Sequence, residues 1–346
     1  MGITYLTLKL TDRCNMNCYM CGQKHTRKVE HNDDLNYEII RDEIKKLDEL
    51  ETVYLFGGEP LLYEKIDLIL KMLYEANIDV LITTNGLLLD KYIDLIVDTK
   101  VRDITISIDS ISRKKYNKIR GCDGMNKVIS NLKALEKRKK EKKSVLPHIG
   151  INCVVLPENV DELEKIYNYF CQEFEEIERI NFESPINISK KEGKEYEKIM
   201  KDQFGIVVSS WKGFSRKIEK ISPNQDILLK KSISRLSNRE KVTLMMPESM
   251  KNIINNDVDD LNDVSKCDFA AYSATVMPNG NVTYCTDFPD YIVGNIYEDT
   301  LNNIFNNEKS RKFKSFLEKN VFPICSECPR QHCNKKFFIS EQKEMK

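Results

Sequence analysis

The chain alternates short apolar runs with longer amphipathic ones. Tyr5 to Leu10 alternates as a strand, and residues 36–50 then place Tyr37, Ile40, Ile44, Leu47 and Leu50 near a helical period. Val53-Tyr-Leu-Phe56 reads as a short buried strand and residues 62–76 as a helix, with Ile66, Ile69, Leu70 and Leu73 on one face. The beat recurs as strands over 80–84, 104–108, 148–156 and 179–183, with helices over 88–98, 125–141 and 160–174. Six β-α units in alternation predict an α/β fold, with a parallel sheet and helices outside it, because parallel strands need crossovers. This beat is compatible with a curled or an open sheet. In either, ligands bind at the carboxyl ends of the strands.

The unusual residues fall at those ends. Cys14-Asn-Met-Asn-Cys18-Tyr-Met-Cys21 follows the first strand and Gly57-Gly58-Glu59-Pro60 the second. Thr84-Asn85-Gly86 follows the third strand, and Ser107-Ile-Asp109 closes the fourth. Consecutive glycines allow close backbone approach, and Glu59 suits an ammonium group. Ser107 and Asp109 suit sugar hydroxyls, and Arg120 is a candidate carboxylate clamp. Singly each is weak, since Asn-Gly and Gly-Gly are ordinary turn signals. Together they predict one large active site on one rim.

Composition adds limits. The 346 residues exceed one usual domain and predict a large α/β unit plus a smaller module. Lys+Arg and Asp+Glu both number 54, which gives no reason to expect nucleic acid or an anionic membrane as partner. No apolar segment approaches about 20 residues, so no membrane span is expected. No signal peptide pattern opens the chain, and a cytoplasmic protein is expected. In that setting cysteines read as metal ligands or catalysts before disulfides.

The eleven cysteines cluster: three at 14–21, five between 267 and 333, and only Cys122, Cys153 and Cys171 elsewhere. Two metal centres follow, one near each end. Three thiolates in a C-x3-C-x2-C spacing leave one iron of a [4Fe–4S] cluster open. A zinc knuckle with a distant fourth ligand, or cysteines buried in a turn, would also give this spacing. Near the C-terminus, Cys267, Cys285, Cys325 and Cys328 make a complete four-thiolate set, with Cys333 competing for the fourth place. Zinc and [4Fe–4S] both accept four thiolates. Residues 274–285 read as a hairpin turning at Pro-Asn-Gly.

Cys14, Cys18 and Cys21 after the first strand, with Gly57 to Pro60 after the second, resemble the radical S-adenosylmethionine (SAM) superfamily over about residues 3–185. The resemblance implies a partial (β/α)6 TIM-like barrel. It implies a [4Fe–4S] cluster on Cys14, Cys18 and Cys21 whose open iron chelates SAM. An electron from the cluster then cleaves SAM to a 5′-deoxyadenosyl radical that abstracts hydrogen from substrate. By position, Gly57, Gly58, Glu59 and Pro60 line the methionyl end. Thr84, Asn85, Ser107, Asp109 and Arg120 join the SAM contacts. Met20 stands where the family usually has an aromatic residue before the third cysteine.

The C-terminal cysteines, with Val293-Gly-Asn-Ile296 and a helix at Ile304-Phe-Asn-Asn, resemble a SPASM or shortened twitch domain. That implies a small α+β iron–sulfur domain. Five cysteines are too few for two full clusters, so one auxiliary [4Fe–4S] is expected. Three domains are therefore expected: a core at 1–186, a connecting segment at 187–265 that either packs Trp211 on the barrel or binds substrate, and an auxiliary domain at 266–346. Family members that epimerise a carbon return hydrogen from a cysteine, for which Cys122 is the candidate here. The substrate is expected to be a ribosomal peptide or protein. The alternative is dehydrogenation or epimerisation of a sugar or other small molecule. An external donor such as flavodoxin or ferredoxin is implied. An iron–sulfur electron carrier or a zinc-binding scaffold explains the cysteines, but not the polar rim.

Overall fold

Alternation within each strand decides which side of the sheet meets the helices. In β1 (Tyr5–Lys9), Leu6 and Leu8 are wholly buried on one face, while Tyr5, Thr7 and Lys9 occupy the other. The same division runs through β2 (Thr52–Phe56), β3 (Asp79–Thr84), β4 (Asp103–Ser107), β5 (His148–Val154) and β6 (Ile177–Glu183). Val53, Leu55, Ile82, Ile104, Ile106, Ile151, Ile180 and Phe182 form the apolar face. Each such side chain contributes about 1.5–3 kcal/mol when fully buried.

The computed structural model describes residues 2–25, 34–215, 221–246 and 266–328. Strands β1 to β6 lie side by side in sequence order, every neighbouring pair parallel. The intervening helices are α1 (Tyr37–Ile44), α2 (Ile66–Glu75), α3 (Ile93–Asp98), α4 (Arg113–Arg120), α5 (Met125–Glu141) and α6 (Leu163–Glu173). The α/β parallel sheet expected from the six-unit beat is present, and the ten-stranded ladder it belongs to is open, as a partial barrel requires.

Three features were not legible in the pattern. Helix α4 carries only Tyr116 and Ile119 as apolar residues in Arg-Lys-Lys-Tyr-Asn-Lys-Ile-Arg, too few to show a stripe. The middle segment, expected as a connecting segment, supplies β7 (Val242–Met245) parallel to β6. On the far side, β8 (Ser273–Val276) pairs in parallel with β1, so the C-terminal hairpin extends the barrel sheet directly. That hairpin continues into β9 (Asn281–Thr283) and β10 (Gly294–Asn295), followed by α9 (Leu301–Asn306) and α10 (Glu308–Leu317).

The described parts of the segment 187–265 divide their packing. Helix α7 (Lys190–Phe204), begun by a Ser189–Glu192 capping box, packs Tyr196 and Phe204 on Phe288, Tyr291, Phe313, Phe316 and Phe322 of the C-terminal module. Asp290 ties the same joint, accepting from Tyr196 Oη at 3.0 Å and from the backbone N–H groups of Ser209 and Ser210 at 3.2 Å. Helix α8 (Pro223–Leu236) lies instead against the barrel, where Arg235 meets Glu164 at 3.1 Å. Trp211 is buried, its ring against Gly193 of α7.

Beneath the mouth, the concave face is polar. Arg179 bridges Asp103 at 2.8 and 2.9 Å and Thr105 at 2.9 Å, crossing the space that Gly150 leaves open. On β1 and β8, Thr7 and Thr275 stand opposite each other in register, both buried and both with an unpartnered hydroxyl. Among the described residues no helix is long and apolar enough to cross a membrane.

Candidate active site

The three-cysteine loop leaves the end of β1 and is held by backbone hydrogen bonds from two sides. Asn17 N–H donates to the Arg120 carbonyl at 3.2 Å and Tyr19 N–H to the Ile119 carbonyl at 3.0 Å. Helix α4 ends there because Gly121 adopts a left-handed φ of +70°, where a Cβ would meet the Asn17 carbonyl oxygen at 2.6 Å. From the other side, Gly58 N–H donates to Thr11 at 2.9 Å and Glu59 N–H to Arg13 at 2.8 Å. A Cβ on Gly58 would lie 1.9 Å from the Arg13 carbonyl oxygen. The backbone approach expected of Gly57-Gly58 is therefore made to the cysteine loop itself.

Other rim residues also serve this support. Glu59 is 1% exposed, and its carboxylate accepts from Thr84 Oγ1 at 2.6 Å, Asn85 N–H at 2.8 Å and Leu61 N–H at 3.2 Å. Its side chain fastens the second loop to the third, and burial raises its carboxyl against the pull of those donors. Asn85 in turn donates to Asn15 Oδ1, inside the cysteine loop, at 2.7 Å. Pro60 begins the short turn that Glu59 caps.

Asp109 and Arg120, expected as ribose and carboxylate contacts, face each other. The Arg120 Nε to Asp109 Oδ2 distance is 2.6 Å with both side chains buried, and Asp109 Oδ1 accepts from Val154 N–H at 2.9 Å. Burial raises the Asp109 carboxyl, partly offset by Arg120. Arg120 also reaches Cys18 Sγ at 3.9 Å, which counters the upward push of burial on that thiol. The pair braces the loop from beneath. Ser107, at the end of β4, remains half-buried, as do Met20, Cys14, Cys18 and Cys21. Cys122 is half-buried beyond α4, close enough to Cys14 to feel its charge.

The second thiol group lies in the C-terminal module. Cys285 and Cys325 each sense Cys328, Cys285 also senses Cys325, and Cys325 senses Cys267. Burial and these neighbours push Cys325 up to about 12 and raise Cys285 well above its usual value. Phe288 N–H donates to Cys285 Sγ at 3.4 Å. The ten described cysteines form no disulfide, and Cys333 lies outside the described residues. Among the described residues no three His, Cys, Asp or Glu side chains converge on a single-ion position, so the thiols are neighbours without being drawn onto one point.

Several residues that complete the site carried no readable signal. Lys9 is 1% exposed below the cysteine loop, 3.2 Å from Gln23 Oε1 and 3.4 Å from Asp12. Gln23 donates onward to Asp287 Oδ1 at 2.9 Å and to the Thr286 carbonyl at 3.2 Å. A buried polar line thus runs from the first strand to the residues just after Cys285. Glu183, at the end of β6, is hydrogen-bonded by Asn152 and faces Asp109, Asp287 and Arg120. A lysine within an alternating strand reads as a solvated position, and only the tertiary fold buries it.

The donor chemistry fits iron–sulfur clusters. Both groups offer only thiols, the first three in number on one loop and the second four in number, all seven half-buried. A model of the Radical SAM superfamily matches residues 8–170, and one of the SPASM iron–sulfur cluster-binding domain matches residues 267–329. The GTP 3′,8-cyclase of Aliarcobacter butzleri is 35% identical over 159 residues, covering 44% of this chain and 47% of that protein. The chain spans about half the length of the curated relatives it matches, such as the Clostridium perfringens GTP 3′,8-cyclase at 32% identity, 49% of this chain and 52% of that protein. Among solved structures, Streptococcus suis SuiB bound to S-adenosylmethionine has a TM-score of 0.64 at 15% identity, covering 94% of this chain and 72% of SuiB. The protein anSMEcpe with bound AdoMet has a TM-score of 0.62 at 18% identity, covering 92% of this chain and 81% of that one. These two domains imply a SAM-binding [4Fe–4S] cluster and auxiliary iron–sulfur. The fold, the two thiol groups and the two domain matches together make this chain a member of the radical SAM superfamily with a C-terminal SPASM domain.

Proposed function

We propose that the protein is a radical SAM oxidoreductase that modifies a peptide. The observation that carries this reading is the three-thiol loop, held at the carboxyl rim of a polar-lined partial barrel with a second thiol group joined to it through β8. Cys14, Cys18 and Cys21 would hold the catalytic cluster, and Cys267, Cys285, Cys325 and Cys328 an auxiliary one, with Cys333 as competitor for the fourth place. With both groups bound, the cluster supplies the electron that cleaves SAM to a hydrogen-abstracting 5′-deoxyadenosyl radical. The chain's own part is to hold the loop rigid, through Arg120, Gly58 and Gly121, and to keep water from the reacting centre.

The backbone of Gly57 to Pro60 would line the methionyl end of SAM, with Glu59 acting through the loop it fastens. Met20 would pack on the adenine, and Ser107 would offer a rim hydroxyl to the ribose. Thr84 and Asn85 act as supports, and the Asp109–Arg120 pair positions the cysteine loop. Cys122, beside Cys14, is the thiol placed to return hydrogen if the product is an epimer. An external one-electron donor such as flavodoxin or ferredoxin completes the cycle, and a reducing cytoplasm suits half-buried free thiols.

The peptide reading is supported by a fold likeness that takes in 96% of this chain and 70% of SuiB, a protein solved with the precursor peptide SuiA. A small-molecule substrate is the second reading, favoured by the named GTP 3′,8-cyclase relatives, which match under half of this chain. Anaerobic reconstitution, chemical reduction and assay for 5′-deoxyadenosine test the core claim. Formation of 5′-deoxyadenosine that depends on Cys14, Cys18 and Cys21 supports it. Its complete absence from iron-loaded protein leaves an electron carrier or metal-stabilised scaffold.

A further inference from the structure

Strands β5 and β6 present three polar side chains on the concave face. Their register sets Asn152 opposite Asn181 and Val154 opposite Glu183, so Asn152, Asn181 and Glu183 are same-face neighbours. Asn181 is 5% exposed, yet its Oδ1 has no hydrogen-bond partner. A buried acceptor in that state needs a donor from an occupant of the lumen. Glu183 accepts from Asn152 and stands in the field of two further carboxylates, Asp109 and Asp287.

The nearby cations are already engaged. Arg120, on α4, is ion-paired with Asp109 at 2.6 Å, and Lys9, on β1, lies 3.4 Å from Asp12. Among the described residues no ion pair includes Glu183. Its carboxyl is pushed up to about 7 by burial and by the two acids, against the weaker pull of Asn152 and Arg120. The position is central: Arg120 reaches Cys18 on one side, and Asp287 lies two residues beyond Cys285 on the other.

We propose that Asn152, Asn181 and Glu183 form a recognition site inside the barrel for a cationic, hydrogen-bond-donating group of the substrate, an ammonium or a guanidinium. This rests on the radical SAM reading for the identity of the lumen as the substrate chamber. Such a group brings Glu183 its counter-charge and gives Asn181 Oδ1 the donor it lacks. The negative field of Asp109 and Asp287 favours the same sign of charge. Binding strengthens with rising pH, because the carboxylate form that pairs with the cation becomes dominant as pH passes about 7.

The probe is propylguanidinium, titrated calorimetrically into the full, anaerobically reconstituted protein between about pH 6 and 8. Wild type should bind it more tightly at the upper end of that range. The isosteric variant Glu183→Gln should bind about tenfold more weakly and without pH dependence. Asn181→Ala, which leaves the carboxylate in place, should weaken binding several-fold while keeping the pH slope. Equal binding by wild type and both variants overturns the proposal, as does absence of binding by wild type. 5′-Deoxyadenosine formation on the same preparations separates the two claims. Normal cleavage with probe binding indifferent to Glu183 sinks only this inference. No cleavage, with binding that still depends on Glu183, keeps the cation site and removes the catalytic reading.

Discussion

The two thiol groups are built by opposite means. The N-terminal loop is held by hydrogen bonds and one buried ion pair: Asn17 and Tyr19 to the end of α4, Glu59 to Arg13, Asn85 to Asn15, and Arg120 between Asp109 and Cys18. The C-terminal group sits in an aromatic cluster in which Tyr284, Tyr291, Phe313 and Phe322 pack at centroid distances of 4.7 to 6.0 Å. Directional polar contacts fix the first loop. Apolar packing surrounds the second group, whose Cys285 and Cys325 thiols are raised by burial, so that their ionisation is costly. A site that must admit a small cofactor suits the first construction, and one that holds a fully ligated cluster suits the second.

Replacing Cys14, Cys18 and Cys21 together by Ala should have the largest effect, abolishing 5′-deoxyadenosine formation. Because the loop is held by backbone contacts, folding should survive. Iron should fall from about eight to about four per chain. Loss of both iron pools would break the contrast, by showing that the loops depend on each other.

Arg120→Leu comes next. It strands a fully buried carboxylate, Asp109, and removes the cation beside Cys18. Destabilisation of about 3–5 kcal/mol is expected in chemical denaturation, with loss of the SAM-perturbed EPR signal. A change below about 1 kcal/mol would mean the pair is not a brace. Gly58→Ala should act more locally, since its Cβ would strike the Arg13 carbonyl oxygen. The expected result is depleted iron at the first site with the auxiliary signal intact.

The smallest expected effect concerns pH. Cys325 has its thiol raised in the folded apo protein, so its contribution to stability is complete below the ordinary thiol value and is lost as pH climbs towards about 12. The melting temperature of apo protein should therefore fall on passing above about pH 9, and less steeply in Cys325→Ser. An unchanged slope would show that enclosure does not govern this thiol. Iron binding at this site should release protons, because thiolates are the ligands.

The strand-helix beat was legible because each unit buries one face: Val53, Leu55, Ile66, Ile69, Leu70 and Leu73 lie in the core as their periodicity demands. Helix α4 was not, since Arg113 to Arg120 shows too little apolar surface to mark it. Strand β7 is four half-buried residues whose place depends on β6 being free to pair. At the site, the cysteine spacings and Gly57-Gly58 were legible because their chemistry is local. The work of Glu59, Asp109 and Arg120 was not, because a charged side chain in a rim loop looks the same whether it meets a ligand or a neighbouring loop.

By itself, then, the sequence determined the parallel α/β core, the two thiol groups and the rim on which the first one sits. Periodicity and spacing are properties of neighbouring residues and survive in a linear string. Tertiary structure alone decided that β8 joins the C-terminal module to β1, that Glu59 and Arg120 hold loops, and that Lys9 and Glu183 turn inward. Those outcomes depend on which strands become neighbours and on how burial reweights a charge, and neither is a property of any one segment.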